Sequence, residues 1–261
     1  MVTPVTRALA ETARFFARVS KTFVYASVGT ERLDALRDDL RRAWDGFNES
    51  PESIGEGLLP AERRLFQGFL APGSRILLVG SGSGRDLIAL AQAGHRLTGV
   101  EPAHGALGRC DASLRERGLD AVLVPHFFED ADIRGPFDAI VFSYFCYGYI
   151  PVSARRVAVL RKARGLLAPG GRIFVSYVVT ARPHRLLPRL ANIAAAVTRS
   201  DWRLEPGDSI SMTFDAGRRA CFFFDHAFTT AELLDEIAAA GLDVVHHRTA
   251  ADYPCVICAA P

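Results

Sequence analysis

Gly80-Ser81-Gly82-Ser83-Gly84 and the carboxylate of Glu101, seventeen positions beyond the last glycine, are the residues of this 261-residue chain whose types and spacing carry chemistry. Glycines at a turn let backbone approach a ligand with no Cβ between them, and an acid after the next strand accepts hydrogen bonds from the two hydroxyls of a ribose. The pattern is that of a nucleoside cradle. Two phosphate-binding alternatives fail on spacing. The third glycine falls two positions after the second, where a dinucleotide fingerprint needs three, and Gly84 is followed by Arg85-Asp86 where a P-loop needs Lys and Ser or Thr.

The flanking residues supply the elements that position this cradle. Ile76 to Val79 is a short apolar run, the pattern of a parallel strand buried on both faces, and it breaks directly into the glycines. Arg85 to Gln92 reads as a helix with Leu87, Ile88, Leu90 and Ala91 apolar, ended by Gly94. Arg96 to Val100 is the next strand, with Glu101 at its tip.

Strand, glycine triplet, helix, strand and acid in this register resemble the first motif and second-strand acid of class I S-adenosylmethionine-dependent methyltransferases. Phe137-Asp138-Ala139-Ile140-Val141-Phe142 is similar to that family's fourth strand, and Leu167-Ala168-Pro169-Gly170-Gly171 before the apolar run Arg172 to Val179 is similar to its turn into the fifth. The resemblance covers about residues 70 to 180 and 225 to 260. It implies an α/β, Rossmann-like, seven-stranded and mostly parallel sheet with helices on both faces. It also implies S-adenosyl-L-methionine as cofactor, S-adenosyl-L-homocysteine as product, and a cofactor site drawn from Gly80, Ser81, Gly82, Gly84, Asp86, Glu101, Pro102, Phe128, Glu129, Asp130 and Ser143. Within that set Glu129 or Asp130 is the carboxylate expected at the adenine amino group, with Phe128 as its apolar neighbour. One position departs from the family: the acid expected two residues before the first glycine is Leu78, which implies either weaker cofactor binding or that Asp86 or another carboxylate substitutes for it at the methionine amino group.

Outside the resemblance, residues 1 to 70 read as an N-terminal helical arm or lid, and residues 71 to 261 as a core with an insertion at 180 to 224. Val5, Leu9, Thr12, Phe16, Val19 and Phe23 form one stripe of a basic amphipathic helix, either packed on the domain or lying on a membrane surface. Thr30 is expected to cap a second helix, Glu31 to Trp44, before a loop from Gly46 to Leu59 and a helix from Pro60 to Leu70. Helices are also expected over His104 to Arg117 and from a Ser153 cap to Leu167, and a strand over Ala121 to Val124. The insertion reads as a helix from Pro183 to Thr198, then strands Ser209 to Phe214 and Ala220 to Phe224 joined at Asp215-Ala216-Gly217. A helix capped by Thr229 or Thr230 and strands Asp243 to Arg248 and Tyr253 to Cys258 complete the chain.

A formal charge of +2 does not announce nucleic acid, and five cysteines read as reduced thiols of a cytoplasmic protein. Cys255 and Cys258 fall three apart in a predicted strand and so point to opposite faces, which argues against a metal pair. No run of about 18 apolar residues is present, so peripheral membrane association is the only kind expected. The aromatic stretch after the fourth strand should wall the substrate with Tyr144, Tyr147 and Tyr149. His126, Tyr147 and His226 are the candidates for a catalytic base or orienting group, with His184 a further histidine of the same kind. No Asn/Asp-Pro-Pro-Tyr/Phe follows the fourth strand and Cys146 lacks a preceding proline, which disfavours DNA bases as acceptors. The expected reaction is in-line methyl transfer to a small, apolar or aromatic acceptor by a monomer or homodimer. The alternatives are a non-catalytic binding relative acting as sensor or interaction module, and a lipid methyltransferase at a membrane surface.

Overall fold

The computed structural model describes residues 4–46, 57–215 and 217–261. A seven-stranded sheet is built from β1 (Arg75–Val79), β2 (Arg96–Val100), β3 (Ala121–Val124), β4 (Phe137–Phe142), β5 (Leu167–Ser176), β9 (Asp243–Arg248) and β10 (Cys255–Ala259). Its order is β3-β2-β1-β4-β5-β10-β9, and β10 runs antiparallel to both neighbours. Helices α3 (Pro60–Phe69), α4 (Arg85–Gln92) and α5 (His104–Glu116) follow one another around the first strands, with α6 (Ser153–Gly165) and α8 (Thr230–Ala239) later in the chain. The apolar run of β1 has its reason here: Ile76 and Leu78 belong to the core with Leu65, Leu87 and Leu114, while Leu77 and Val79 belong to the core with Leu160, Leu233 and Ile237. Alternate side chains of one strand thus feed two cores, one on each face of the sheet. Cys255 and Cys258 likewise fall in different cores.

The remaining elements form a third core. Helices α1 (Pro4–Thr30) and α2 (Leu33–Gly46) pack against α7 (Leu186–Thr198) and against the hairpin of β7 (Asp208–Phe214) and β8 (Ala220–Phe228), whose other edge pairs with the short β6 (Val178–Val179). Tyr25, Val28, Leu36, Leu40, Ala191, Trp202, Ile210 and Phe224 are buried together. Arm and insertion, separated by the whole first half of the sheet, are one packed unit. At the crossing of α1 and α7 the backbones touch: a Cβ on Gly29 would lie 2.2 Å from the Ala191 carbonyl oxygen. The Tyr25 hydroxyl meets His184 Nε2 at 3.0 Å and accepts from the Ile210 amide at 3.1 Å.

Several expectations are corrected. Thr30 does not cap α2; its hydroxyl donates back to the Ser27 carbonyl, and the Leu33 amide is taken by the Asp201 carboxylate at 3.0 Å. Ser153 is the first residue of α6, and its amide donates to Glu205 of the insertion. α7 starts at Leu186, three residues later than Pro183, and β8 continues four residues past Phe224 to Phe228. The turn expected over Leu167 to Gly171 lies within β5, which begins at Leu167: Phe137 pairs with Leu167 and Ala139 with Arg172, so residues 168–171 loop out of the ladder with Gly170 at φ +76°. The last strand starts at Cys255, and the hairpin tip at Ala216 and most of the Gly46 to Leu59 loop lie outside the described residues.

Candidate active site

The carboxyl ends of β3, β2, β1 and β4 stand side by side, and a cavity of about 370 Å³ opens beyond them. Along this row Phe128 and Glu129 follow β3, Glu101 and Pro102 follow β2, Gly80 to Ser83 follow β1, and Ser143 to Cys146 follow β4. Each strand contributes its residues in turn, so the sheet order sets the order of groups across the cavity.

Gly80 has φ +73°, and a Cβ there would lie 2.9 Å from that of Cys146, so only glycine fits where the β1 and β4 loops touch. Glu101 is buried; its Oε2 accepts from the Gly82 amide at 3.0 Å and its Oε1 from the Ala103 amide at 2.9 Å. The acid therefore ties the glycine turn to the start of α5 while lining the cavity. Asp86, at the start of α4, is 3% exposed and also lines it. Its Oδ2 accepts a short hydrogen bond from the Ser143 hydroxyl, and Arg85 Nη2 lies 2.5 Å from its Oδ1 but off the line of a hydrogen bond. Arg85 continues to Glu62 at 2.7 Å and lies over the Tyr144 ring. Burial, reinforced by the charge of Asp86, pushes the Glu62 carboxyl up to about 7 despite Arg85. Leu78, the position of the family's usual acid, is fully buried in a sheet core and does not reach the cavity.

The far wall comes from α2 and the loop after β4. Arg37, Leu40, Arg41 and Trp44 line it from α2. Trp44 and Tyr149 are 5.3 Å apart, each within 5.5 Å of Phe223, and Arg37 covers the Phe127 ring at 4.2 Å. The loop itself departs from ordinary backbone: Tyr144, Phe145 and Val152 have φ of 28°, 65° and 70°. Such conformations each cost on the order of 1–3 kcal/mol outside glycine and persist only where the surroundings impose them.

Behind the loop lies a buried ionic network. Arg156, fully buried, binds Glu236 at 2.8 Å and Glu205 at 3.0 Å, and the Tyr147 hydroxyl donates to Glu236 at 2.8 Å. His226 is held by Asp208 at 2.6 Å through Nδ1 and by Glu232 at 3.0 Å through Nε2. Burial opposes the imidazolium, but the two carboxylates prevail and raise its pKa. Glu205, Asp208 and His226 are close enough to hold a cation, yet both His226 nitrogens and Glu205 already have partners within the network.

Of the residues named from sequence, Gly80, Ser81, Gly82, Asp86, Glu101, Pro102, Phe128, Glu129, Ser143, Tyr144 and Tyr149 line the cavity. Gly84 supports the turn from outside it, with φ +99°, and Asp130 instead pairs with Arg37 at 2.5 Å. His126, Tyr147 and His226 do not line it: His126 is exposed, and the other two belong to the buried network. Sequence reasoning missed Arg37, Arg41 and Trp44, whose spacing of four and three marks one helical stripe beside the Leu36–Leu40 stripe. It missed Phe127 as well. Cys146 lines the cavity as a thiol, since burial and then the charges of Glu101, Asp86 and Glu129 raise its pKa well above the ordinary value, and it donates to the Val79 carbonyl.

A doubly wound sheet with one antiparallel strand next to its edge, a glycine turn after β1 and an acid after β2 make a Rossmann-like fold. Residues 77–173, just over a third of the chain, match the family model described as a methyltransferase domain. Comparison with curated proteins gives no match. Among solved structures, the CcbJ methyltransferase from Streptomyces caelestis is similar with a TM-score of 0.59 at 17% identity, over 85% of this chain and 96% of that one. The glycopeptide N-methyltransferase MtfA, solved in complex with S-adenosylmethionine, gives 0.55 at 18% identity over 77% and 93%. The sugar N-methyltransferase KedS8 from Streptoalloteichus gives 0.53 at 16% over 76% and 84%. At these identities the likeness is one of fold.

Proposed function

We propose that this chain methylates a small, apolar or aromatic acceptor with S-adenosylmethionine bound along the row of strand ends. The observation that carries this reading is the set of buried polar atoms that lack a hydrogen-bond partner. Among the described residues there are five, and three belong to residues lining this one cavity: Ser81 Oγ, Arg37 Nε, and Asp86 Oδ1, whose one neighbour is the Arg85 guanidinium as an ion pair at 2.5 Å. Buried polar groups are rarely left unsatisfied, so a cavity that concentrates them is built for a polar ligand.

The order of groups fits the cofactor end to end. Phe128 offers an apolar face and Glu129 a carboxylate to an adenine beyond β3, and Glu101 accepts from ribose hydroxyls beyond β2. Asp86, held by Ser143 at the junction of β1 and β4, takes the ammonium of the amino-acid end, replacing the acid that Leu78 cannot supply. When bound, the cofactor supplies an electrophilic methyl group on a sulfonium. The chain's own contribution is positioning, which is worth several kcal/mol of barrier when reacting groups are held in near-attack geometry. Trp44, Tyr149 and Tyr144 present ring faces to the acceptor, and α2 closes the cavity against water. None of the candidate bases lines the cavity, which suits an acceptor that loses its proton to solvent after attack.

The test is calorimetric titration with S-adenosylmethionine and S-adenosylhomocysteine, followed by transfer of labelled methyl to small aromatic amines and phenols. Micromolar binding of both cofactor forms supports the reading, and no binding of either ends it.

A further inference from the structure

Helix α7 is packed inside out. It buries its small residues, Pro188, Ala191 and Ala195, and of its five large apolar residues only Leu187 packs on the core, the other four facing solvent. Leu186, Leu190, Ile193 and Val197, spaced four, three and four apart, form a single stripe, with Leu186 and Val197 74% and 80% exposed. Neighbouring α1 repeats the feature: Phe16 and Phe23, seven residues apart on one face, are 64% and 69% exposed. A water-facing helix does the reverse, and contiguous exposed apolar surface of this kind marks a contact.

Charge says with what. Residues 180 to 200 carry four arginines and no acid, and residues 9 to 30 carry three cations and one acid. These two segments together hold a net charge of +6 in a chain whose total is +2, so the remainder is at −4. Among the described residues Arg18, Lys21, Arg185, Arg189 and Arg199 form no salt bridge. A second copy of the chain would bring the same positive face against this one. An anionic bilayer surface complements both parts: apolar side chains enter the headgroup boundary while flanking cations meet the lipid charge.

We propose that the α1–α7 face docks this protein on an anionic lipid bilayer, with the helices lying in the surface. Among the described residues no helix is long and apolar enough to cross a membrane, so the association is peripheral. The experiment is co-sedimentation of the full chain with vesicles of phosphatidylcholine alone and of phosphatidylcholine with phosphatidylserine, at low and high salt, beside light scattering without lipid. The expected result is binding to the phosphatidylserine vesicles only, reversed by salt. Arg185→Gln with Arg189→Gln weakens it roughly thirtyfold at low salt, and Phe16→Ser with Ile193→Ser abolishes it. All four sites are exposed, and retained circular dichroism verifies the fold of each variant. Absence of wild-type binding at low salt overturns the proposal, as does equal binding to both vesicle types. A dimer in light scattering that Phe16→Ser with Ile193→Ser converts to monomer also overturns it, and assigns the face to a second copy.

Discussion

Replacing Asp86 by Asn removes one negative charge from the cavity and leaves its shape almost unchanged. The amide oxygen can keep the Ser143 hydrogen bond, while the amide nitrogen then occupies the position that Arg85 Nη2 approaches at 2.5 Å, and the acceptor for an ammonium group is lost. A hydrogen bond to a charged group contributes about 1.5–3 kcal/mol, so S-adenosylhomocysteine should bind roughly 10- to 150-fold more weakly. The informative control is 5′-methylthioadenosine, which has the adenine, ribose and sulfur but no amino-acid end. Its affinity should stay within about twofold of wild type in Asp86→Asn, because nothing it carries reaches Asp86. Glu101→Ala should instead weaken both ligands, on the order of a hundredfold, since it removes the carboxylate proposed for the ribose and strands the Gly82 and Ala103 amides. Calorimetry with two ligands and two variants reads all four values. Equal weakening of both ligands by Asp86→Asn would mean that the residue shapes the turn and does not hold the amino-acid end; no weakening of either would remove it from the site.

Other consequences are open to measurement. The Glu62 carboxyl, at about 7 in the fold and 4.5 ordinarily, binds its proton more tightly folded than unfolded, so it costs stability as pH rises from about 4.5 to 7; the Glu62→Gln variant should lose a stability slope of roughly 2–4 kcal/mol across that window in urea melts. Arg156→Met leaves buried Glu236 and half-buried Glu205 without their cation and should destabilise by about 3–5 kcal/mol in the same assay. Trp44→Ala should reduce turnover at least tenfold while leaving S-adenosylhomocysteine affinity nearly unchanged, since Trp44 belongs to the wall facing the strand ends; an equal loss of both would place Trp44 against the cofactor. Gly29→Val should lower the melting temperature by several degrees, because its side chain has no room beside the Ala191 carbonyl.

The sheet was legible because its information is local. Apolar runs, the glycine triplet and Glu101 lie within twenty-seven residues of one another, and β1, α4 and β2 were readable almost to the residue. What escaped depends on partners far away along the chain. The amide caps of α2 and α6 come from Asp201 and Glu205, 168 and 52 residues distant, so nearby Thr30 and Ser153 were credited instead. The same holds for His226: its two carboxylates sit 18 residues before it and 6 after, and only folding brings them to opposite sides of one ring. The helix from Glu31 to Trp44 was visible, but not that Arg37, Arg41 and Trp44 would line the cavity, because that follows from docking on β8 and not from periodicity.

The shared core of arm and insertion also sets an order of events in synthesis. Tyr25, Val28, Leu36 and Leu40 leave the ribosome about 150 residues before the surfaces that cover them, from Ala191 to Phe224. Through most of translation the amino-terminal helices carry an unburied apolar stripe while the first strands of the sheet are already available to pair. This segment thus gains its tertiary contacts later than the strands translated after it, and nascent chains halted before residue 191 should be the ones that holdase chaperones retain.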